Sequence, residues 1–308
     1  MKIISQPGEL ATDGRKVCVA IGVFDGVHLG HQQILRQMIE DARQHGALAV
    51  VTTFDCHPSA IVAPTRAPRL IYPLRKKLET LDSFGADAAW LIHFDQPFSE
   101  QTGEVFIRSL VRDFHHVQSL CVGTNFNFGH RRSGNVELLR KLGQELKFTV
   151  HGLASVALDG DVVSSTRIRE RIRAGQLDAA SQMLGRAYSL TGTVVRGDQV
   201  GRQLGFPTAN LDVTGLELPP TGVYAVQVKA GPHTHRAVLN IGYRPTLTRL
   251  EPSLQVETHV LDFNGELYDQ WIEIVFVEKL REEKKFPSTT ALREQIARDI
   301  EAARRLFS

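Results

Sequence analysis

VCVAIGVFDGVHLGH (residues 17–31) opens with a continuous apolar run of strand length and then turns through a short loop holding two glycines and two histidines. The helix after it is predicted from Ile34, Leu35, Met38, Ile39 and Ala42, which recur at spacings of three and four, with Gly46 as its stop. LAVVTTF (48–54) is then a second buried strand, so the segment is a β-α-β unit. Working outward, AAWLIHF (88–94) and SLCVGTNF (119–126) each follow a helical-looking segment, which predicts an α/β first half built on a parallel sheet with crossover helices. Ligands of such sheets bind outside the carboxyl ends of the strands, so the loops after Phe24, Phe54, Phe94 and Val122 are expected to share one crevice.

Past about residue 186 the texture changes. SLTGTVVRG, GVYAVQVKAG, HRAVLNIGY, SLQVETHVLDF and QWIEIVFVEKL are strands separated by Gly, Pro, Asn and Asp turns without intervening helices, the pattern of an antiparallel sheet or small barrel. A last helix is predicted at about 289–307, capped by Ser288, with Leu292, Ile296, Ile300, Ala303 and Leu306 on one face. The expected domains are therefore 1–186 and 187–308. The length of 308 residues agrees, at a prior of about 150 residues per domain.

Hydrophobic residues are 42% and charged residues 23%, and no apolar run approaches the roughly 20 residues of a membrane span, so no membrane partner is expected. The opening MKIISQPGEL has no apolar core of a signal peptide, and Cys18, Cys56 and Cys121 are far apart among apolar residues. Both point to a cytoplasmic chain with reduced, packed thiols. The net charge of +2 is too small to announce a nucleic-acid partner. Of the 36 basic residues 26 are Arg, the side chain that grips phosphate bidentately, although a high-GC genome gives the same bias.

The loop Phe24-Asp25-Gly26-Val27-His28-Leu29-Gly30-His31 admits three readings. Zinc lacks further ligands at a suitable spacing. A structural reading has one imidazole cap the helix. The favoured reading is phosphate chemistry: Gly26 and Gly30 allow close approach, the helix N-terminus supplies partial positive charge, and two imidazoles can stabilise charge on an α-phosphate. Ser164-Ser165-Thr166-Arg167-Ile168-Arg169 starts another helix with cations in its first turn, where they oppose the dipole unless an anion is bound. Between the two, Gly123 to Gly129 ends a strand, and its amides and the rings of Phe126 and Phe128 suit a base or flavin, or else the core. In the second half, Gly201-Arg202-Gln203-Leu204-Gly205-Phe206-Pro207-Thr208-Ala209-Asn210 puts a hydroxyl and an amide oxygen two apart, able to hold Mg²⁺. Glu257 stands within a strand, either as an outward-facing carboxylate or as a general base.

GVFDGVHLGH, VGTNFNFG and SSTRIR resemble the FAD synthetase module of the bacterial bifunctional riboflavin kinase/FMN adenylyltransferase family, within the nucleotidyltransferase superfamily. GRQLGFPTANL, GVYAV, NIGYRPT, ETHVLDF and LYDQ resemble riboflavin kinase, in that family's order. The resemblance implies a Rossmann-like nucleotidyltransferase domain followed by a six-stranded antiparallel kinase barrel with a C-terminal helix. By it, the chain phosphorylates riboflavin to FMN with ATP and adenylylates FMN to FAD and pyrophosphate, as a monomer or weak homo-oligomer. It places Gly22, Phe24, Asp25, His28, Gly30, His31, Asn125, Ser164, Ser165, Thr166 and Arg167 on the ATP of the first half. Phe54, His57, Pro58 and Phe128 fall on FMN. In the second half it puts Gly197, Gly201, Arg202, Gly205 and Pro207 on ATP, Thr208 and Asn210 on Mg²⁺, and Glu257 on the riboflavin hydroxyl, with Arg281 near the flavin mouth. Two positions depart from the common pattern: Asn125 stands where many members have Asp, which leaves a neutral hydrogen-bonding role, and Cys56 replaces a proline in TFDCHP. The alternatives are a nucleotidyltransferase with another phosphorylated acceptor, which would not need the barrel half, and an inactive flavin-binding regulator, which would not need Glu257.

Overall fold

The structure, a computed structural model, describes residues 1–197, 201, 204–244 and 253–307. Arg202 and the end of NIGYRPT lie outside the described residues. Two compact units, Met1–Arg167 and Ile168–Ser308, make up the chain.

In the first unit β1 (Lys2–Ile4), β2 (Val17–Ile21), β3 (Leu48–Phe54), β4 (Ala88–Ile92), β5 (Val117–Gly123) and β6 (Thr149–Leu153) form one sheet. Its order is β1-β4-β3-β2-β5-β6, and every neighbouring pair is parallel. The helices are α1 (Leu29–His45), α2 (Ser59–Val62), α3 (Leu74–Asp82), α4 (Gln96–Ser99), α5 (Gly103–Phe114) and α6 (Val136–Leu146). A two-stranded hairpin, β7 (Ala157–Leu158) with β8 (Asp161–Val162), comes after β6.

Alternation along β2 divides the core. Val17, Val19 and Ile21 pack toward α5 and α6, whereas Cys18 and Ala20 join Leu35, Met38 and Ala42 of α1. All five positions of α1 expected to be apolar contacts are buried, and Gly46 ends the helix in the left-handed conformation. Cys18 and Cys121 are free and buried, and burial pushes both thiols up. Cys56 is only half-buried at the end of β3, so the expectation of three core thiols holds for two. The chain runs from β2 outward to β3 and β4, then crosses to β5 on the other side of β2. That reversal opens a crevice at the carboxyl ends of β2 and β5.

The second unit holds α8 (Leu177–Leu184), and α7 (Ser165–Arg173) runs through Arg167 and Ile168, where the units divide. The division thus precedes the change of texture near residue 187. Arg173 pairs with buried Glu217, and Tyr188 N–H donates to Ser181 Oγ at 2.9 Å, which fastens both helical segments to the strand region of the second unit. Strands β9 (Ser189–Val195), β10 (Ala209–Leu211), β11 (Gly222–Ala230), β12 (His233–Arg244), β13 (Ser253–Val260) and β14 (Trp271–Arg281) close a six-stranded antiparallel barrel, β10-β13-β12-β11-β14-β9, with β9 back on β10. The C-terminal helix, Thr289–Leu306, begins where Ser288 Oγ accepts the Ala291 N–H at 3.1 Å. Ala303 and Ile300 pack on Val223, Ala225 and Val238, while Leu306 is exposed rather than on the packed face.

Candidate active sites

Beyond β2, Phe24 takes a left-handed conformation (φ 53°) with its side chain wholly buried, and Asp25–Val27 make one 3₁₀ turn. His28 then caps α1: its Nδ1 accepts the His31 N–H at 3.4 Å. A neutral ring that accepts at Nδ1 carries its proton on Nε2. The His28 and His31 rings stack at 3.6 Å, and His31 meets the edge of Phe24 at 5.2 Å. A Cβ on Gly30 would stand 3.3 Å from His28 Cε1, so a side chain there would press on the ring. The two histidines, Gly22, Phe24 and Gly30 line a cavity of about 390 Å³ whose other wall includes Gly123, Asn125, Phe126 and Ser155. The capping and phosphate readings of His28 are therefore compatible in one side chain.

Other expected residues take different places. The Asp25 carboxylate accepts from the N–H groups of Ile71 (3.0 Å) and Tyr72 (3.3 Å), so it fastens the loop rather than lining the cavity. Ser165 Oγ donates to Asp25 O at 2.9 Å, Ser164 Oγ accepts the Arg167 N–H at 3.3 Å, and Arg167 pairs with Asp161. None of Ser164 to Arg167 lines the cavity. The FMN group is not gathered there either. Phe54 is 9% exposed and packs edge-on against Phe94 at 5.3 Å, which makes it a core ring. Phe128 stacks on Phe126 at 5.0 Å, His57 Nδ1 accepts the Ser59 N–H at 3.2 Å, and Pro58 caps α2.

The barrel unit carries two cavities that meet at Thr208. One, of about 290 Å³, is walled by Phe206, Val223, Val238, Phe286, Leu292 and Ile296, with Glu257, Asn240 and Arg281 as polar groups. The other, of about 320 Å³, is lined by Pro207, Thr208, Thr258 and the segment from Phe263 to Tyr268. Strand register explains the grouping: Glu257 stands opposite Asn210 on one side and Asn240 on the other, so the three form a row on one face. Asn210 packs against Gly197, where a Cβ would fall 2.2 Å from its Nδ2. Gly201 lines the apolar cavity and its carbonyl accepts the Phe206 N–H at 2.8 Å, while Gly205 sits in the intervening turn and lines neither. His259, not singled out in the sequence, has Nδ1 2.8 Å from Pro207 O and so ties the 206–208 segment to β13. Thr258 is 1% exposed, and its Oγ1 has no hydrogen-bond partner among the described residues.

Arg281 reaches back to the C-terminal helix, where its Nε lies 3.0 Å and its second nitrogen 2.8 Å from the Asp299 carboxylate, itself 5% exposed. Gln295 donates to the same carboxylate at 2.7 Å. Asp299→Ala strands this guanidinium and is expected to lower stability by about 3–5 kcal/mol, read as a shift in the denaturant midpoint of the full chain.

A family model for FAD synthetase matches residues 10–167, and one for riboflavin kinase matches residues 184–307. The chain belongs to the bifunctional riboflavin kinase/FMN adenylyltransferase family. Proteins of that name from Haemophilus influenzae and Escherichia coli are each 37% identical to it, over 94% of both chains in the first case and over 100% of this chain and 98% of the relative in the second. Among solved structures, that of a macrolide-efflux protein from Streptococcus pneumoniae matches with a TM-score of 0.82 and 27% identity, covering 98% of each chain. Efflux is said of that protein; among the described residues here no helix is long and apolar enough to cross a membrane. Membership in the bifunctional family accounts for two units with separate cavities in one chain.

Proposed function

We propose that the family's two reactions are divided as the motifs are, FMN adenylylation on residues 1–186 and riboflavin phosphorylation on residues 187–308. The observation that carries this reading is Thr208, common to an apolar cavity holding Glu257 and to a second cavity running toward Tyr268. A flat, largely apolar flavin suits the first, with its ribityl end at the polar row Asn210, Glu257 and Asn240. Glu257 takes the proton of the terminal hydroxyl, whose oxygen attacks the γ-phosphorus of ATP in the second cavity as the bond from that phosphorus to the β–γ bridging oxygen breaks and ADP leaves. Pro207 lines the ATP side, Gly197 backs Asn210 beside it, and the Thr258 hydroxyl is a free donor for it.

Thr208 Oγ1 and the Asn210 amide oxygen are hard oxygen donors, a pair that suits Mg²⁺. Bound by Thr208 and Asn210, the ion supplies positive charge against the phosphates. In the first unit, the FMN phosphate attacks the α-phosphorus of ATP and pyrophosphate leaves. His28, through Nε2–H, and His31 hold the charge that grows on the phosphate oxygens, and Asn125 orients the nucleotide as a neutral hydrogen-bonding group. Flavin and ATP binding need no polymer partner and no second subunit, so the chain acts as a monomer or weak homo-oligomer, and free, buried Cys18 and Cys121 fit a cytoplasmic setting.

Flavin chromatography of full-length protein given riboflavin, ATP and Mg²⁺ tests the reading. FMN is expected first and FAD after it, and omission of Mg²⁺ stops both. Formation of neither product overturns the assignment.

A further inference from the structure

Lys77, on α3, is 6% exposed, and its ammonium lies between two loops of the first unit. Nζ donates to Phe54 O at 2.7 Å, to Thr53 Oγ1 at 3.2 Å and to Val23 O at 3.4 Å. Thr53 Oγ1 in turn donates to Val23 O at 3.1 Å. An ammonium has three N–H donors, so these three oxygens take its whole capacity. Val23 lies in the loop after β2 that carries His28 and leads to His31 in the first turn of α1, and Phe54 ends β3 where TFDCHP turns away from the sheet. A second tie runs beside it, from the Asp25 carboxylate to the Ile71 and Tyr72 amides that lead into α3. Burying a cation costs far more than filling the same gap with an apolar side chain, so packing alone does not account for a lysine here.

Resting on the assignment of FMN adenylylation to this unit, we propose that Lys77 is a positioning residue for adenylyl transfer. Its ammonium sets the spacing between the loop after β2, which leads to His28, and the loop after β3, onto which the family resemblance puts FMN. In-line attack on phosphorus is sensitive to that spacing, since a misplacement of about 1 Å costs roughly 10²-fold in rate.

The charged and titratable groups around Lys77 are Asp25 from the first loop and Asp55 and Cys56 from the second. His93, from the end of β4, meets this neighbourhood through its contact with Asp55. Burial is the largest influence and brings the ammonium down from 10.5 to about 8, with Asp25, Asp55 and Cys56 opposing it. Above that pH a neutral amine has two donors for three acceptors, and the latch loosens. The folded value lies below the unfolded one, so unfolding takes up a proton between about 8 and 10.5 and this group's contribution to stability rises with pH there. Loss of activity in that window is therefore opposite in sign to any unfolding driven by Lys77.

The test compares full-length wild type, Lys77→Met and Lys77→Arg for FAD formation from supplied FMN and for FMN formation from riboflavin. Lys77→Met is expected to lower kcat for FAD synthesis by about 10²-fold, with riboflavin phosphorylation within about twofold of wild type. Wild type is expected to lose FAD synthesis, and not kinase activity, as pH rises through about 8, whereas Lys77→Arg keeps its charge and holds its rate. Unchanged FAD synthesis in Lys77→Met, or a wild-type rate that stays flat through that window, overturns the latch. Where Lys77→Met does not fold, the pH profiles decide. A wild type that makes no FAD from FMN overturns the assigned reaction instead.

Discussion

Glu257→Gln is expected to lower riboflavin phosphorylation by about 10²–10⁴-fold, the range over which a positioned general base contributes. The substitution keeps size and hydrogen-bonding capacity beside Asn210 and Asn240, so the row across β10, β13 and β12 stays packed while the proton acceptor is gone. FAD formation from supplied FMN in the same preparation should remain at the wild-type rate. Loss of kcat with little change in KM for riboflavin identifies the proton transfer as the step affected. An unchanged kcat would remove Glu257 from the chemistry and leave it as the outward-facing strand carboxylate that the sequence equally allowed.

Replacing His28 by Asn and His31 by Ala should produce the reverse dissection. Each donor aimed at charge developing on phosphate is worth about 10²–10³ in rate, so the double variant should make FMN normally and essentially no FAD. Asn is chosen at position 28 because His28 caps α1, and loss of a cap costs about 1 kcal/mol, whereas Asn is among the residues that serve best there. If His28→Asn retains full FAD synthesis, the ring is a cap and nothing more. If either dissection silences both activities in folded protein, the two sites are not independent.

The parts of the fold that could be read from the sequence are those with a run or a period of sufficient length. Continuous apolar runs of strand length and the three-four spacing of Ile34, Leu35, Met38, Ile39 and Ala42 were enough to place β2, α1 and β3. β1, with three residues, and β6, a part-exposed edge strand, carry too short or too weak a pattern. Candidate site residues were legible where a motif states its own geometry: His28 and His31 stack because the helix turn brings i and i+3 together. They were not legible where strand pairing decides. Nothing in NIGYRPT announces that Asn240 stands beside Glu257 until β12 and β13 are put in register. Lys77 sits in Leu-Arg-Lys-Lys-Leu, which reads as a solvated charge run, yet it lies four residues before wholly buried Leu81 and shares its inward face. Phe54 and Phe128 could not be assigned from the sequence for a related reason, since an aromatic at a strand end or loop serves core and ligand equally well.

The pleat of β13 limits how this chain can vary. Glu257 and Thr258 are adjacent in sequence, yet the first faces the apolar cavity and the second faces its neighbour, because successive residues of a strand point to opposite sides. The strand is thus a partition with a different chemical group on each side of one peptide bond. A substitution alters one compartment and spares the other. A single inserted or deleted residue between Gln255 and Thr258 would turn the partition over, presenting a hydroxyl to the apolar cavity and a carboxylate to its neighbour.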